Sequence, residues 1–98
     1  MADDTFPAGE SDYASHPGAL LAEELEARGL SQRELARRIG RPFQVVNEIV
    51  RERKAITAET AVQLEGELGV QAYIWLAMQA QYDLVAARRK LAAASPAS

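Results

Sequence analysis

The sequence predicts an all-α fold of five helices built around a central helix-turn-helix. Apolar residues recur at three- and four-residue spacing through most of the chain, and no alternating strand pattern occurs. A glycine followed by an apolar residue marks a helix end twice, at Gly29-Leu30 and at Gly69-Val70. The 98 residues suffice for one small domain, which we predict to span residues 16–90.

The two ends of the chain are predicted to lie outside this domain. Residues 1–15 combine proline, glycine, serine and scattered acids without periodicity, which is typical of a disordered acidic tail. Residues 91–98 are rich in alanine, serine and proline, and we expect them to fray. No apolar run is long enough to span a membrane and the start lacks a secretory signal, so we expect a cytoplasmic protein.

The first two helices carry clear start and stop signals. Pro17 suits the first position of a helix, and leucines at helical spacing extend this helix over residues 17–28. Ser31 and Glu34 stand at the spacing of a capping box, in which each side chain satisfies a free backbone N–H of the other residue. Gly40 ends this second helix after about two and a half turns.

The remaining three helices are predicted from similar signals. Pro42 opens the third, and Thr57 caps the fourth. Gly66 within the fourth costs about 1 kcal/mol relative to alanine, so we expect it at a close helix contact. The fifth helix spans about residues 71–90, and its first half is apolar on nearly all sides.

This apolar helix predicts that the protein dimerises through its C-terminal helix. A chain of this size has few elements with which to cover both sides, so a second copy is the expected cover. We assign Trp75 to the core of the single chain. The predicted dimer residues follow at helical spacing on this helix: Ile74, Met78, Tyr82 and Val85.

Charge is distributed unevenly along the chain. The formal net charge is −3, but residues 1–27 sum to −7, residues 28–54 to +5 and residues 55–98 to −1. A basic block in the middle of the chain is what a surface that contacts phosphates needs. A solvated, charged helix face would have the same composition, and charge alone does not separate the two interpretations.

The stretch of residues 32–49 has the pattern of a helix-turn-helix. Two short helices that cross steeply need a small residue at their contact, here Ala36, and a residue with positive φ in the turn, here Gly40. Val46 and Ile49 supply the apolar anchors of the second helix. The alternative is a plain helical hairpin within a bundle, which the capping signals and the basic block disfavour.

Four further stretches accompany this motif: His16-Pro17-Gly18, Asn47-Glu48-Ile49-Val50, Ile56-Thr57-Ala58-Glu59-Thr60-Ala61, and Trp75-Leu76 with Gln79 and Tyr82-Asp83-Leu84. With them, residues 16–86 resemble the HigA-type antitoxins, which are phage-repressor-like helix-turn-helix proteins of toxin–antitoxin modules. The resemblance implies a five-helix domain that dimerises, represses its own operon and neutralises a RelE/HigB-like toxin that cleaves messenger RNA.

The sequence departs from the family pattern at three positions of the helix-turn-helix. Arg41 stands where the family usually has an apolar residue, and Glu52 where it usually has a glycine that closes the recognition helix. Val45 stands where a long basic residue is common, and valine can make only apolar contacts, such as with a thymine methyl.

The recognition helix is expected to present its outward residues to the major groove of DNA. Gln44 and Asn47 can each pair with adenine, and Phe43 either contacts DNA or fills space beside Arg41. The first turn of helix 2 is expected to abut a phosphate, because backbone N–H groups and the helix dipole favour anions there. The predicted DNA-binding residues are Gln32, Arg33, Phe43, Gln44, Val45, Asn47, Arg51, Arg53 and Lys54.

A basic toxin would suit acidic residues, and helix 1 offers Glu23, Glu24 and Glu26, with the acidic tail as another candidate. The alternative function is a lone helix-turn-helix transcriptional regulator without a toxin partner, and a second alternative is a protein-interaction module that has lost DNA binding. With no cysteine, one histidine and no glycine-rich phosphate loop, we expect neither an enzyme nor a bound metal or cofactor.

Overall fold

Five helices in the predicted order form the described part of the chain. The structure is a computed structural model that describes residues 14–94, so the predicted N-terminal tail lies almost wholly outside the described residues. The all-α prediction is confirmed, and the first helix has the predicted bounds. The helices are α1 (Pro17–Arg28), α2 (Gln32–Ile39), α3 (Phe43–Val50), α4 (Ala58–Leu68) and α5 (Ala72–Ala94).

The last helix is longer than the sequence analysis predicted. α5 continues through Ala94, whereas residue 90 is its predicted end. The four added residues are leucine and alanine, which have high helix propensity, so the helix propagates although these residues are exposed. Among residues 14–94, no helix is both long and apolar enough to cross a membrane.

Side-chain caps begin three of the helices. His16 Nδ1 accepts from the Gly18 N–H at 2.9 Å, and Ser31 Oγ accepts from the Glu34 N–H at 3.0 Å. Thr57 caps α4 in the same way. Of the predicted capping box at Ser31 and Glu34, only the bond from the Glu34 N–H to Ser31 Oγ is formed among residues 14–94. The Glu34 carboxylate instead binds two arginines of its own helix.

The core lies between the five helices: α2 packs against α3 and α4, α1 packs against α3 and α5, and α4 packs against α5. Trp75 is fully buried, and its Nε1 donates to the Val70 carbonyl at 3.1 Å, which satisfies the one polar atom of the indole. The other members of the core cluster are Leu21, Leu25, Leu35, Ala36, Ile39, Val46, Ile49, Ile56, Ala61, Leu64 and Leu68.

Helices α1 and α3 approach closely at a glycine. A Cβ atom placed on Gly18 would lie 1.9 Å from the Ile49 carbonyl oxygen, so only glycine fits at this contact. The close approach positions the recognition helix against α1. The expectation that Gly66 marks such a contact is wrong, because a Cβ there would meet nothing within 4 Å.

Candidate nucleic-acid interface

The helix-turn-helix places α3 with one face in the core and the other facing outward. Val46 and Ile49 are buried, whereas Gln44 and Glu48 are exposed. Val45, predicted to flank the DNA, is half-buried against the core. The outward face of α3 is therefore polar, and its amides and carboxylate are groups that can pair with base edges in a major groove.

Two residues of the first turn of α2 contact side chains of α3. Asn47 Nδ2 donates to Gln32 Oε1 at 3.0 Å, and the Arg33 guanidinium carbon lies 4.2 Å from the centroid of the Phe43 ring. Phe43 and Asn47 are four residues apart and so lie one turn apart on the same side of α3. Four of the predicted DNA-binding residues are thus brought together in two pairs.

The recognition helix ends at a residue in the left-handed backbone conformation. The Glu52 N–H donates to the Ile49 carbonyl at 2.9 Å and the Arg53 N–H to the Glu48 carbonyl at 2.8 Å, the bonding pattern of a Schellman motif. Glu52 has φ +62°, a conformation that favours glycine. The helix end therefore forms where the family pattern places it, although a glutamate occupies the glycine position.

The loop after α3 presents basic side chains and is anchored at its far end. Gln79 of α5 is buried, accepts from the Ile56 N–H at 2.9 Å and donates to Asp83 Oδ1 at 3.0 Å. Sequence reasoning did not assign Gln79 to the site, although a polar residue one turn from Trp75 in the apolar stripe was a signal for it. Arg51, Arg53 and Lys54 in this loop are exposed.

The eight cations of the basic block divide into two groups of four. Among residues 14–94, one group has no ion pair and flanks α3: Arg33, Arg51, Arg53 and Lys54. Each member of the other group pairs with at least one glutamate: Arg28 with Glu24, Arg37 with Glu34, Arg38 with Glu34 and Glu67, and Arg41 with Glu59. The cations of the basic block that have no ion pair therefore lie beside the exposed face of α3, where Glu48 and Glu52 are the exposed acids.

Arg41 points away from this surface. Its Nε donates to Gln63 Oε1 at 2.8 Å, and its terminal nitrogen lies 3.4 Å from Glu59. Gln63 in turn donates to the Ile39 carbonyl at 3.0 Å, which satisfies a free carbonyl at the end of α2. At this departure from the family pattern, a polar network to α4 holds the turn of the helix-turn-helix.

The predicted dimer residues do not share one environment. Val85 is 6% exposed within the single chain, so it has little surface left to bury against a second copy. Tyr82 packs edge-on against His16, with ring centroids 4.8 Å apart. Ile74 and Met78 are half-buried.

The acidic residues predicted for toxin binding lie along α1. Glu24 pairs with Arg28 at 3.1 Å, whereas Glu23 and Glu26 are exposed. The pair neutralises part of the negative charge that the sequence predicts for this helix.

Comparison with known proteins places the chain in a family. The helix-turn-helix family matches residues 21–75. The chain is 45% identical over 82 residues to virulence-associated protein I of Dichelobacter nodosus, covering 82% of this chain and 76% of that protein. It matches the structure of an addiction module antidote protein of the HigA family from Coxiella burnetii, with 36% identity, 78% of this chain and 84% of that chain covered, and a TM-score of 0.73. It also matches the Pseudomonas aeruginosa antitoxin HigA solved with the higBA promoter, with 29% identity, coverage of 88% and 100%, and a TM-score of 0.75. The chain belongs to the HigA-type family of helix-turn-helix antitoxins.

Proposed function

We propose that this protein binds operator DNA as a dimer, represses its own operon and neutralises a RelE/HigB-like toxin that cleaves messenger RNA. The division of the basic block into paired and unpaired cations carries the DNA-binding part of the proposal. Four cations without ion pairs among residues 14–94 flank the exposed polar face of α3, while glutamates neutralise the other four. A relative from Pseudomonas aeruginosa that was solved with promoter DNA supports the same assignment.

Base edges and phosphates would be contacted by different residues. Gln44 is exposed on α3 and offers a donor and an acceptor to adenine, and Asn47 keeps its carbonyl oxygen for a base donor. The unpaired cations would bind phosphates on either side of the groove.

A dimer would present two copies of this DNA-binding surface, related by a two-fold axis. α5 exposes the large apolar residues Tyr73, at 67%, Leu84, at 47%, and Leu91, at 70%, and Ile74 and Met78 on the same helix are half-buried. A two-fold contact along α5 would cover them and would set two recognition helices about 34 Å apart, which fits a palindrome with half-sites one DNA turn apart.

The DNA-binding proposal is tested with duplexes taken from upstream of the gene. Fluorescence anisotropy between about 50 and 200 mM salt should show tighter binding to this DNA than to a scrambled duplex, with affinity that falls steeply as salt rises. Sedimentation should show a dimer at micromolar concentration. Equal, salt-independent affinity for both duplexes would exclude specific DNA binding, and a monomer would exclude the palindrome.

The antitoxin proposal is tested with the product of the neighbouring open reading frame. Co-expression should give a complex that survives purification, and growth should be rescued only when this chain is present. Reversing the exposed acids with Glu23→Lys and Glu26→Lys should weaken the complex if α1 attracts a basic toxin. Glu59→Lys on α4 is a charge reversal away from α1, and its folding is checked by circular dichroism because Glu59 pairs with Arg41. If this protein is stable but forms no complex, and the neighbouring gene product is not toxic, the protein is instead a lone transcriptional regulator.

A further inference from the structure

The contact between Arg33 and Phe43 joins the first turn of α2 to the first residue of α3. The guanidinium carbon lies 4.2 Å from the ring centroid, within the range of a cation–π interaction. Phe43 sits beside an arginine with which no carboxylate pairs among residues 14–94. The ring is thus the group that holds this cation in place, and it does so without neutralising the charge.

This arrangement changes what Phe43 can do. One face of the ring is covered by the guanidinium, so that face cannot stack on a base or pack on a thymine methyl. Arginine loses considerable side-chain entropy when it is immobilised, and a cation that is already held in the free protein loses less on binding. For both reasons, the main effect of Phe43 on DNA binding should be to fix the position of Arg33.

We infer that Phe43 is a positioning residue, whose ring holds Arg33 ready for a backbone phosphate beside the N-terminus of α3. This inference rests on the proposed operator binding. Arg33 supplies the positive charge that binds the phosphate, and the Phe43 ring holds the guanidinium in place. Neither residue contacts a base. This indirect role differs from both sequence predictions for Phe43, which are contact with DNA and the filling of space beside Arg41.

The test is a double-mutant cycle read out by DNA binding. Phe43→Leu should weaken binding to the operator duplex and to a scrambled duplex by the same factor, about 2- to 5-fold per bound protomer. Arg33→Ala should also lower the salt slope by about 1 per protomer. In the Arg33→Ala background, Phe43→Leu should have no further effect, and Phe43→Tyr, which keeps the ring, should bind like the wild type.

Circular dichroism melting of each variant identifies those that are folded at the assay temperature. If Phe43→Leu is unfolded there, Phe43→Met replaces it, because methionine keeps most of the volume and removes the ring.

Three outcomes would overturn the inference while the wild type still binds its operator. They are wild-type affinity of the folded ringless variant, a loss confined to the operator duplex, and an equal loss in the Arg33→Ala background. A loss confined to the operator would make Phe43 a base reader. A wild-type protein without salt-dependent DNA binding would overturn the proposed function, and this inference with it.

Discussion

Asn47 Nδ2 donates a hydrogen bond to Gln32 Oε1 at 3.0 Å and so ties the middle of the recognition helix to the first residue of α2. The bond occupies one donor of Asn47 and leaves its carbonyl oxygen for a base. It also leaves the Gln32 amide donors for a phosphate, at the helix terminus that favours an anion. In the proposed complex, one hydrogen bond therefore links a phosphate contact to a base contact.

This link predicts that the effects of substitutions at the two residues are coupled. Gln32→Ala should weaken operator binding and also relax discrimination at the base pair that Asn47 contacts, because the Asn47 amide loses its orientation. A cycle with Asn47→Ala should give a coupling free energy of about 0.5–1.5 kcal/mol, measured by anisotropy on operator variants. Gln44→Ala is the control, since Gln44 is exposed on α3 and is not the partner of Gln32. Additive effects of Gln32→Ala and Asn47→Ala would contradict the link.

The division of cations predicts that two exposed arginines behave differently. Arg53→Ala should weaken binding to all duplexes and lower the salt slope by about 0.9 for each phosphate that the arginine neutralises in the wild-type complex. Arg37→Ala should change neither quantity, because Glu34 already pairs with Arg37. Affinity titrations at several salt concentrations give both slopes. Equal slopes for the two variants would show that ion pairing does not select the cations that bind DNA.

The contact between Gly18 and Ile49 predicts a large loss of stability on adding one methyl group. Gly18→Ala should lower the free energy of unfolding by about 3 kcal/mol or more, because the new Cβ would lie 1.9 Å from a backbone carbonyl that cannot move independently of α3. Urea unfolding measures the change. Gly66→Ala is the matched control, and should raise stability by about 0.5–1 kcal/mol, since its Cβ meets open space within a helix. Similar effects of the two variants would rule out the close contact.

The left-handed conformation of Glu52 predicts that glycine stabilises this position. Glu52→Gly should raise the free energy of unfolding relative to Glu52→Ala by about 1 kcal/mol, because alanine keeps the strained φ of +62° and glycine relieves it. Both variants remove the same charge, so their difference in urea unfolding isolates the backbone contribution. If alanine were the more stable, the helix would end in another conformation.

The buried imidazole of His16 leads us to predict that the free energy of unfolding depends on pH. Burial lowers its pKa below the ordinary value, although the nearby carboxylates of Glu52 and Asp83 oppose this shift. The neutral imidazole is therefore favoured in the folded protein, where Nδ1 must accept the hydrogen bond that caps α1. This stabilisation is fully present above about pH 6.5 and is lost as pH falls from there toward the lowered pKa.

Urea unfolding between about pH 5 and 8 measures this dependence. His16→Asn should flatten it, because asparagine also caps helices and does not titrate. An equally steep loss in His16→Asn would assign the pH dependence to other groups.

The elements of this fold follow from signals that act within a few residues. Ser31 and Thr57 begin helices, and Gly29, Gly40 and Gly69 end them, through bonds to neighbours no more than a few positions away. The predicted end of α5 is too early because an alanine-rich segment carries no stop signal. The prediction for Gly66 is wrong because a glycine in a sequence does not reveal what surrounds it.

The set of polar and basic residues around the recognition helix could also be predicted, since it depends on helical spacing and on charge. Their pairings could not. The bonds between Asn47 and Gln32 and between Ile56 and Gln79, and the stacking of Arg33 on Phe43, join residues that are far apart in the sequence. Such pairs exist only after α1, α2, α3 and α5 have packed at particular distances and angles.

The sequence by itself determined five helices and the caps at Ser31 and Thr57, because local hydrogen bonding and apolar periodicity suffice for these, and its motifs carry the resemblance to the family. The tertiary structure alone decided which cations keep their charge available and which side chains hold one another in place. The physical reason is that ion pairing and side-chain stacking depend on separations of a few ångströms, and these separations are set when the helices pack.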